Sequence, residues 1–479
     1  MPDKGADGPL QSFLARGPRP DHVRRAALAY VCTQVGAGLL ALGPAVAHAG
    51  WVGIPIIVLC ACCAAYTSYL FGWIMLHTQA ALDSGRATTT SDTDSEGSSE
   101  RTDSDGSDGS SSDGRDEEMF PSYENIGYQA MGNFGYVVSK LLQCLMLVGV
   151  STIFLVLIGV NASQVERILG VDWLSKRSVI LVAAAFELIP CYFMATVKET
   201  FLLTALGSLC SAICGVVVVA AAFTTDPSKL DGCLDDGARN SWPLITDVQG
   251  LCLCWNTVVF AFGGINVLPS LLVDFHIRGV LARALVSFTW RSYSFIIVVY
   301  VAVATAGFAV GGVAMASQKV DSNVLIGLSG CPGDEVKSVN WSLLVAYSVI
   351  TLHVLLAFPV PFHSGTETLE ATLGTRAGAL KSGLPGLMMR LPRLLFLGFC
   401  TALAYSLPFF GALLDVVAAI AGQGTVFILP VLFSVAIQRQ LGLRVPYYEW
   451  IVDFICLLVG ALGAITGVYY GTKELAALR

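Results

Sequence analysis

Eleven stretches of this chain are long, apolar and nearly free of charge, and that pattern leaves very few folds open to it. They fall at roughly 26–48, 51–76, 135–161, 177–195, 200–223, 249–272, 288–313, 341–362, 391–412, 414–437 and 447–471. A bilayer core about 30 Å thick takes about 20 apolar residues per helix. No water reaches the backbone there, so a spanning segment must satisfy its own N–H and C=O groups, and a run of this length does so as a helix. The sequence therefore predicts an all-α membrane protein with about 11 transmembrane helices. Of its 479 residues 54% are hydrophobic and 13% charged, whereas soluble domains carry roughly 25% charged residues. The mean hydropathy is +0.68. The lipid bilayer is the solvent for most of this surface.

A net charge of −7 describes one loop rather than the body, because much of the acid sits between Asp92 and Glu118. No basic stripe or aromatic–basic platform is present, which excludes nucleic acid as a partner. The first 20 residues hold Pro and Gly but no apolar run, so the first span is expected to act as an uncleaved anchor. The predicted organisation is a cytoplasmic tail (1–25), spans one and two (26–82), a loop (83–118), spans three to ten (119–446), and the eleventh span with a short C-terminus (447–479). Residues 83–118 are Ser, Thr, Asp, Glu and Gly with almost no apolar side chain. Such a segment cannot bury enough surface to offset its ordering entropy and is expected to be disordered. Serines beside Asp and Glu suit an acidophilic kinase, but a tolerated, solvated insertion is the favoured reading. Phe120 to Met131 is expected to form a short interfacial helix leading into the third span.

Lys and Arg favour the N-terminal side of the membrane by roughly two to one, which predicts a cytoplasmic N-terminus. An odd number of spans then places the C-terminus outside. Twelve of the fourteen cysteines lie in apolar segments, where cysteine packs as a small hydrophobe. Cys233 and Cys331 fall instead in outer loops, where oxidation is favoured, and a Cys233–Cys331 disulfide is expected, against the alternative of two free thiols. The spacings needed for a zinc site are absent, so no metal or cofactor is expected. The sequon Asn161-Ala162-Ser163 also falls outside, close to the membrane.

Two spans differ from the other nine. The first contains Gln34-Val-Gly-Ala-Gly-Leu-Leu-Ala-Leu-Gly-Pro44, and the sixth contains Phe262-Gly-Gly-Ile-Asn-Val-Leu-Pro269. Glycine and proline at membrane depth weaken the helix, and exposed backbone groups persist there only beside protein or a polar cavity. Matching interruptions in two halves of a chain point to a transporter site. The N-terminal end of a half-helix offers free N–H donors and partial positive charge to a carboxylate. Unwound carbonyls suit an ammonium group or a cation. A zwitterionic amino acid satisfies both at once. Close helix packing is the simpler explanation of any one such glycine. Two interruptions five spans apart favour a site.

Gly38-Leu-Leu-Ala-Leu-Gly-Pro-Ala-Val-Ala-His-Ala-Gly-Trp51, with Tyr66-Thr67 following, resembles the opening signature of the amino acid/auxin permeases. Tyr123-Glu-Asn-Ile-Gly-Tyr-Gln-Ala-Met-Gly132, Phe260-Ala-Phe-Gly-Gly-Ile-Asn-Val-Leu-Pro269 and Leu407-Pro-Phe-Phe-Gly411 with Pro430 continue the likeness in order. The resemblance implies a LeuT-like fold of five plus five helices in an inverted repeat, with an eleventh helix outside it. It also implies secondary active transport of amino acids by alternating access, driven by H+ or Na+. Carried over by position, the substrate main chain would meet Gly36, Ala37, Gly38, Leu39 and Leu40, with Phe262, Gly263, Gly264, Ile265 and Asn266 opposite. Phe154 stands where many members carry a tyrosine, so the hydroxyl contact they make there is missing. The phenylalanines and the lack of charge suggest a neutral or aromatic amino acid.

Intramembrane ionisable groups are functional candidates by default. Glu187 lies near the middle of the fourth span and is a candidate proton site, or a neutral structural carboxyl. His48, His353 and Asp415 are further candidates. Sodium would need oxygens from the first interruption and hydroxyls on the eighth span, where Ser348 and Thr351 stand, although such hydroxyls commonly bond back to their own helix. Proton coupling is favoured, with sodium coupling and an amino acid sensor on the same scaffold as alternatives. An enzyme is not expected, since no catalytic motif is present. Plasma membrane and vacuolar or lysosomal membrane both fit.

Overall fold

The computed structural model describes residues 20–93, 122–171, 173–193, 201–226, 230, 234, 240–274, 282–317, 320–331, 341–375, 383–407, 410–443 and 445–477. Among them every regular element is helical. The first half comprises α1 (Pro20–Gln34), α2 (Ala37–Ala49), α3 (Gly53–Thr93), α4 (Tyr123–Leu169), α5 (Lys176–Phe193) and α6 (Phe201–Thr224). The second half begins with α7 (Val248–Ala261), α8 (Leu268–Asp274), α9 (Ala282–Gly311) and α10 (Val324–Ser329). It continues with α11 (Trp341–Ala357), α12 (Pro359–Thr372), α13 (Leu384–Met389), α14 (Leu391–Ser406), α15 (Phe410–Val417), α16 (Leu429–Gln440) and α17 (Tyr447–Ala477).

Eight segments are long and apolar enough to cross a bilayer, or nine when α1 and α2 count as one bent span. The expected fourth and ninth spans are the two that fall short of that measure. They are α5, with Lys176, Arg177 and Glu187 among 18 residues, and α14, with 16 residues. The boundary after the ninth moves from the expected 412–414 to 407–409, since α14 stops at Ser406 and α15 starts at Phe410. Pro408 supplies the reason: it lacks an amide donor and steers the residue before it out of the helical region.

The segment expected to be disordered from residue 83 is helical as far as Thr93, because α3 continues without interruption. Each residue added to an existing helix gains a hydrogen bond without a new nucleation cost. Residues 94–121 lie outside the described residues. Beyond them Ser122 caps α4 by accepting from the Asn125 amide, and the helix is interrupted at Met131 and Gly132 before the span proper. The tenth span passes through two π-helical turns, Ala418–Gly422 and Gly424–Ile428, between α15 and α16. Such turns leave carbonyls out of the regular ladder. Tyr123 reaches one of them, donating its hydroxyl to the Thr425 carbonyl at 2.7 Å.

The sixth and tenth spans are the most enclosed, each with 78% of its apolar window buried, while α17 has 28% and faces outward. α17 docks through two glycines. A Cβ on Gly463 would lie 2.5 Å from Gln423 Nε2, and one on Gly467 would lie 2.5 Å from the Asn256 amide. Beneath them Gln423 donates to Asn256 Oδ1 at 3.0 Å and accepts from Trp255 Nε1 at 3.3 Å. Elsewhere a buried ion pair, Arg393 Nε to Glu370 Oε1 at 2.6 Å, joins α14 to α12, and the same guanidinium donates to the Cys191 carbonyl of α5.

Asn161 of the membrane-proximal sequon is fully buried, donating to Thr351 Oγ1 at 3.1 Å and accepting from Asn323. It is part of the packing and offers no room for a glycan. Cys331 is disulfide-bonded. Cys233 lies outside the described residues, and twelve other cysteines are free thiols.

Candidate functional site

The first interruption lies at Val35 and Gly36, where α1 and α2 meet at 50°. Gly36 has φ −113° and ψ −124° and gives α2 no side-chain cap. The first N–H groups of α2 therefore face outward with their partial positive charge. α2 then runs unbroken through Gly43 and Pro44, so the interruption is shorter than the Gly/Pro-rich sequence suggests. Gly43 serves packing instead: a Cβ there would lie 2.9 Å from Val324. The second interruption follows α7. Phe262 leaves the helical region, and Gly263–Val267 forms a 3₁₀ turn before α8.

One side chain fastens the two interruptions together. The Tyr300 hydroxyl, from α9, lies 2.5 Å from the Gln34 carbonyl and 2.8 Å from the Ala261 carbonyl. These are the last residues of α1 and α7, whose carbonyls lack a continuing helix. Glycines allow the approach around it. A Cβ on Gly38 would lie 2.6 Å from Ala261 Cα, and one on Gly264 would lie 2.7 Å from Gln34 Cδ.

A small cavity, with about 30 Å³ open to a water-sized molecule, lies at this meeting point. The first span supplies Thr33, Gln34, Ala37 and Gly38, and the sixth supplies Phe260, Ala261, Gly263, Gly264, Asn266 and Val267. Helix α4 closes one side with Met146, Leu147, Val150 and Phe154, and Pro361 adds to the wall. No charged side chain is among them. Of the residues carried over by position, Ala37, Gly38, Phe154, Gly263, Gly264 and Asn266 line the cavity. Gly36 lies behind it, against Phe154 and His353. Leu39, Leu40 and Ile265 are buried in packing. Phe262 stacks on Tyr293 (ring centroids 6.0 Å apart) and meets Tyr300 edge-on at 5.2 Å.

Polar groups surround this apolar wall. Asn266 donates to the Gly263 carbonyl at 2.9 Å and to Thr425 Oγ1 at 3.1 Å, and Gln143 of α4 donates to the Asn266 carbonyl at 3.2 Å. Tyr30, Ser68 and Tyr293 form a closed triangle of hydroxyls, with sides of 3.1, 3.0 and 2.8 Å, that ties α1, α3 and α9 together.

The model of the family described as "Transmembrane amino acid transporter protein" matches residues 19–88 and 110–472. The chain belongs to that family. It is 23% identical over 369 residues to the amino acid transporter AVT1J of Arabidopsis thaliana, an alignment covering 74% of this chain and 78% of the relative. Its fold is similar to that of a Na+-coupled sialic acid symporter in a substrate-bound outward-open state. That likeness has a TM-score of 0.50 at 13% identity and covers 97% of this chain and 91% of the other. The chain is thus an integral, multi-pass member of the amino acid transporter family with a LeuT-like fold.

In this family member the candidate ion-coupling residues are scattered. Glu187 is fully buried in α5, away from the cavity, and neither carboxylate oxygen has a hydrogen-bond partner. His48 sits at the far end of α2, where its carbonyl accepts from Thr246. Ser348 is exposed and bonds back to the Leu344 carbonyl, and Thr351 bonds back to Tyr347. Asp415 accepts from Thr257 at 2.8 Å. His353 alone reaches the first interruption. Its Nδ1 lies 2.8 Å from the Gly207 carbonyl and 2.7 Å from Ser211 Oγ, and Ser211 in turn lies 2.9 Å from the Val35 carbonyl. A carbonyl only accepts, which places the ring proton on Nδ1 and leaves Nε2 as the base beside Gly36. Tyr300, Gln143 and Ser211 escaped the sequence reading. A tyrosine, an amide and a serine inside apolar runs were the available signals, and only the fold shows which way they face.

Proposed function

We propose that this chain moves neutral amino acids across a membrane by alternating access, coupled to protons. The observation that carries the reading is the pair of interruptions joined by Tyr300 around an uncharged cavity. The substrate carboxylate is assigned to the uncapped start of α2 at Ala37 and Gly38, with Gly263, Gly264 and Asn266 opposite. Phe154 and Phe260 offer it apolar walls. The family's action is binding and conformational change, without covalent chemistry. Cys233 is proposed as the partner of Cys331, since the twelve other cysteines are thiols.

Protons are favoured over sodium because Ser348 is exposed and the Thr351 oxygen already accepts from Asn161 Nδ2 at 3.1 Å. His353 is the proposed carrier in place of Glu187 or His48. The groups that meet it are Ser211 and Gly207 from α6, with Gly36 across the interruption, and none of these is charged. The Cys32 thiol also packs against Gly207. A proton taken up at Nε2 strengthens the Nδ1–H donor and, through Ser211, the hold on the Val35 carbonyl. Coupling then requires that the two access states differ in affinity for that proton. The N-terminus is assigned to the cytoplasm, and the serines of the acidic stretch 83–118 to a regulatory kinase.

Reconstitution in liposomes with labelled amino acids, under separately imposed proton and sodium gradients, tests the reading. Uptake that persists without sodium and collapses with the pH gradient is the expected result. Uptake abolished by sodium removal alone refutes proton coupling, and absence of flux for every amino acid refutes the transport assignment.

A further inference from the structure

Pro430 stands just beyond the second π-helical turn of the tenth span, Gly424–Ile428. In a π-helix each carbonyl accepts from the amide five residues further on. The Leu429 amide is taken in this way by the Gly424 carbonyl. The next carbonyl, that of Thr425, would need the amide of residue 430, and proline has none. Tyr123 supplies a donor from another helix, its hydroxyl lying 2.7 Å from the Thr425 carbonyl. Both residues are fully buried. The Tyr123 ring stacks on Phe71 of α3 at 4.5 Å and meets Phe433 of α16 edge-on at 6.3 Å. Packing there needs only the ring. A buried hydroxyl is costly unless it is hydrogen-bonded, and the Thr425 carbonyl offsets that cost. At the other end of the same short helix, Gln440 of α16 donates to the Gln129 and Ala130 carbonyls at 3.1 and 3.3 Å. Residues 123–131 thus brace the tenth span at two points, just ahead of the break at Gly132, where φ is +64°.

The brace reaches the second interruption through the Thr425 side chain. That hydroxyl donates to the Ala421 carbonyl at 2.9 Å, which leaves its lone pairs for Asn266 Nδ2 at 3.1 Å. Asn266 Nδ2 also donates to the Gly263 carbonyl and so ties the 3₁₀ turn together from within. Resting on the transport reading above, we infer that Tyr123 is a positioning residue for substrate binding. Its hydroxyl replaces the amide that Pro430 lacks, fixes Thr425, and thereby sets Asn266 and the 3₁₀ turn against the cavity. Gly263, Gly264, Asn266 and Val267 line that cavity, whereas Tyr123 is absent from its wall and acts through Thr425.

The test uses the full chain, purified and in proteoliposomes, with the labelled amino acid that the unaltered protein takes up fastest. Tyr123→Phe keeps the ring contacts and removes the donor, and KM is expected to rise at least about fivefold. Pro430→Ala restores an amide where the Thr425 carbonyl needs one. Tyr123→Phe should therefore have little effect in a Pro430→Ala background, a rescue that a packing role of the tyrosine cannot give. Thr425→Val cuts the next link; it should raise KM to a similar extent, and Tyr123→Phe should add little to it. Hydrogen exchange of the purified protein reads the same path without transport. Tyr123→Phe should speed exchange in peptides covering 262–268 and 424–429 and leave α17 unchanged. A KM and maximal rate within about twofold of the unaltered protein overturn the inference. So does a Tyr123→Phe effect that stays at full size in both the Pro430→Ala and Thr425→Val backgrounds; should Pro430→Ala fail to fold, the Thr425→Val pair decides alone. Faster exchange at 262–268 in a protein that moves no amino acid keeps the positioning role and removes the transport reading. Transport with unaltered exchange there does the reverse.

Discussion

Replacing Tyr300 with phenylalanine removes one oxygen atom from the point where the two interrupted spans meet. The ring and its edge contact with Phe262 at 5.2 Å remain, so the change is confined to the hydroxyl. That hydroxyl serves the Gln34 carbonyl at 2.5 Å, which also accepts from the Gly36 amide at 2.9 Å, and the Ala261 carbonyl at 2.8 Å, at the end of α7. Tyr300 itself is fully buried, and the substitution brings no new donor. A buried polar group left unsatisfied costs about 1–3 kcal/mol, and one proton can fully satisfy one acceptor at a time, so a single such cost applies. Each 1.4 kcal/mol is about tenfold in an equilibrium constant. If the joined arrangement is the one that binds substrate, Tyr300→Phe should weaken apparent affinity by about fivefold to 100-fold. Initial rates of uptake over a range of substrate concentrations give the affinity, and thermal melting of the purified protein shows whether the fold survives. A KM and maximal rate within twofold of the unaltered protein would refute the idea that this hydroxyl holds the site together.

Four other outcomes follow from the same geometry. Gly38→Ala sets a methyl group 2.6 Å from Ala261 Cα; overpacking of about 1–3 kcal/mol should reduce flux at least about fivefold while membrane insertion, followed by surface labelling, is kept. Glu370→Ala strands the Arg393 guanidinium in a buried site and should cost about 3–5 kcal/mol, seen as lost folded protein in fluorescence-detected size exclusion. His353→Gln should abolish uptake driven by a pH gradient while exchange of amino acid across the membrane persists; gradient-driven accumulation at the original level would exclude His353 as carrier. Asn161 should carry no glycan, so glycosidase treatment should not change the mobility of a chain in which the second Asn-x-Ser sequence, Asn340-Trp341-Ser342, has been removed.

The bilayer-crossing pattern and the two interruptions were legible because both are statements about composition along the chain. Length and apolarity mark a span, and glycine and proline mark where it weakens. Geometry inside those marks was not legible. Pro44 looked like part of the first interruption, yet the helix passes through it, and the gap falls at Val35 and Gly36. Phe262 shares the motif with Gly263 but turns to Tyr293 and away from the cavity, since the 3₁₀ turn rotates successive residues in a way that spacing alone does not give. The candidate hydroxyls on the eighth span satisfied themselves locally, and His353, two residues beyond Thr351, holds the position beside Gly36. Gln143 and Ser211 reach partners 123 and 176 residues away, and Tyr300 joins partners 266 and 39 residues away, so no local pattern announces them.

The docking of α17 bears on how the bundle is assembled. Its two glycines lie directly on the side-chain amides of Gln423 and Asn256 and on the Trp255 indole. Every other partner of those groups is synthesised earlier. Until α17 inserts, that polar cluster fronts hydrocarbon, and a bulky residue at Gly463 or Gly467 would hold it there. The outward-facing helix, which contributes nothing to the cavity lining, then serves as the closing piece of biogenesis. A chain stopped after residue 446 should be recognised by membrane quality control as unfinished, whatever the state of its transport site.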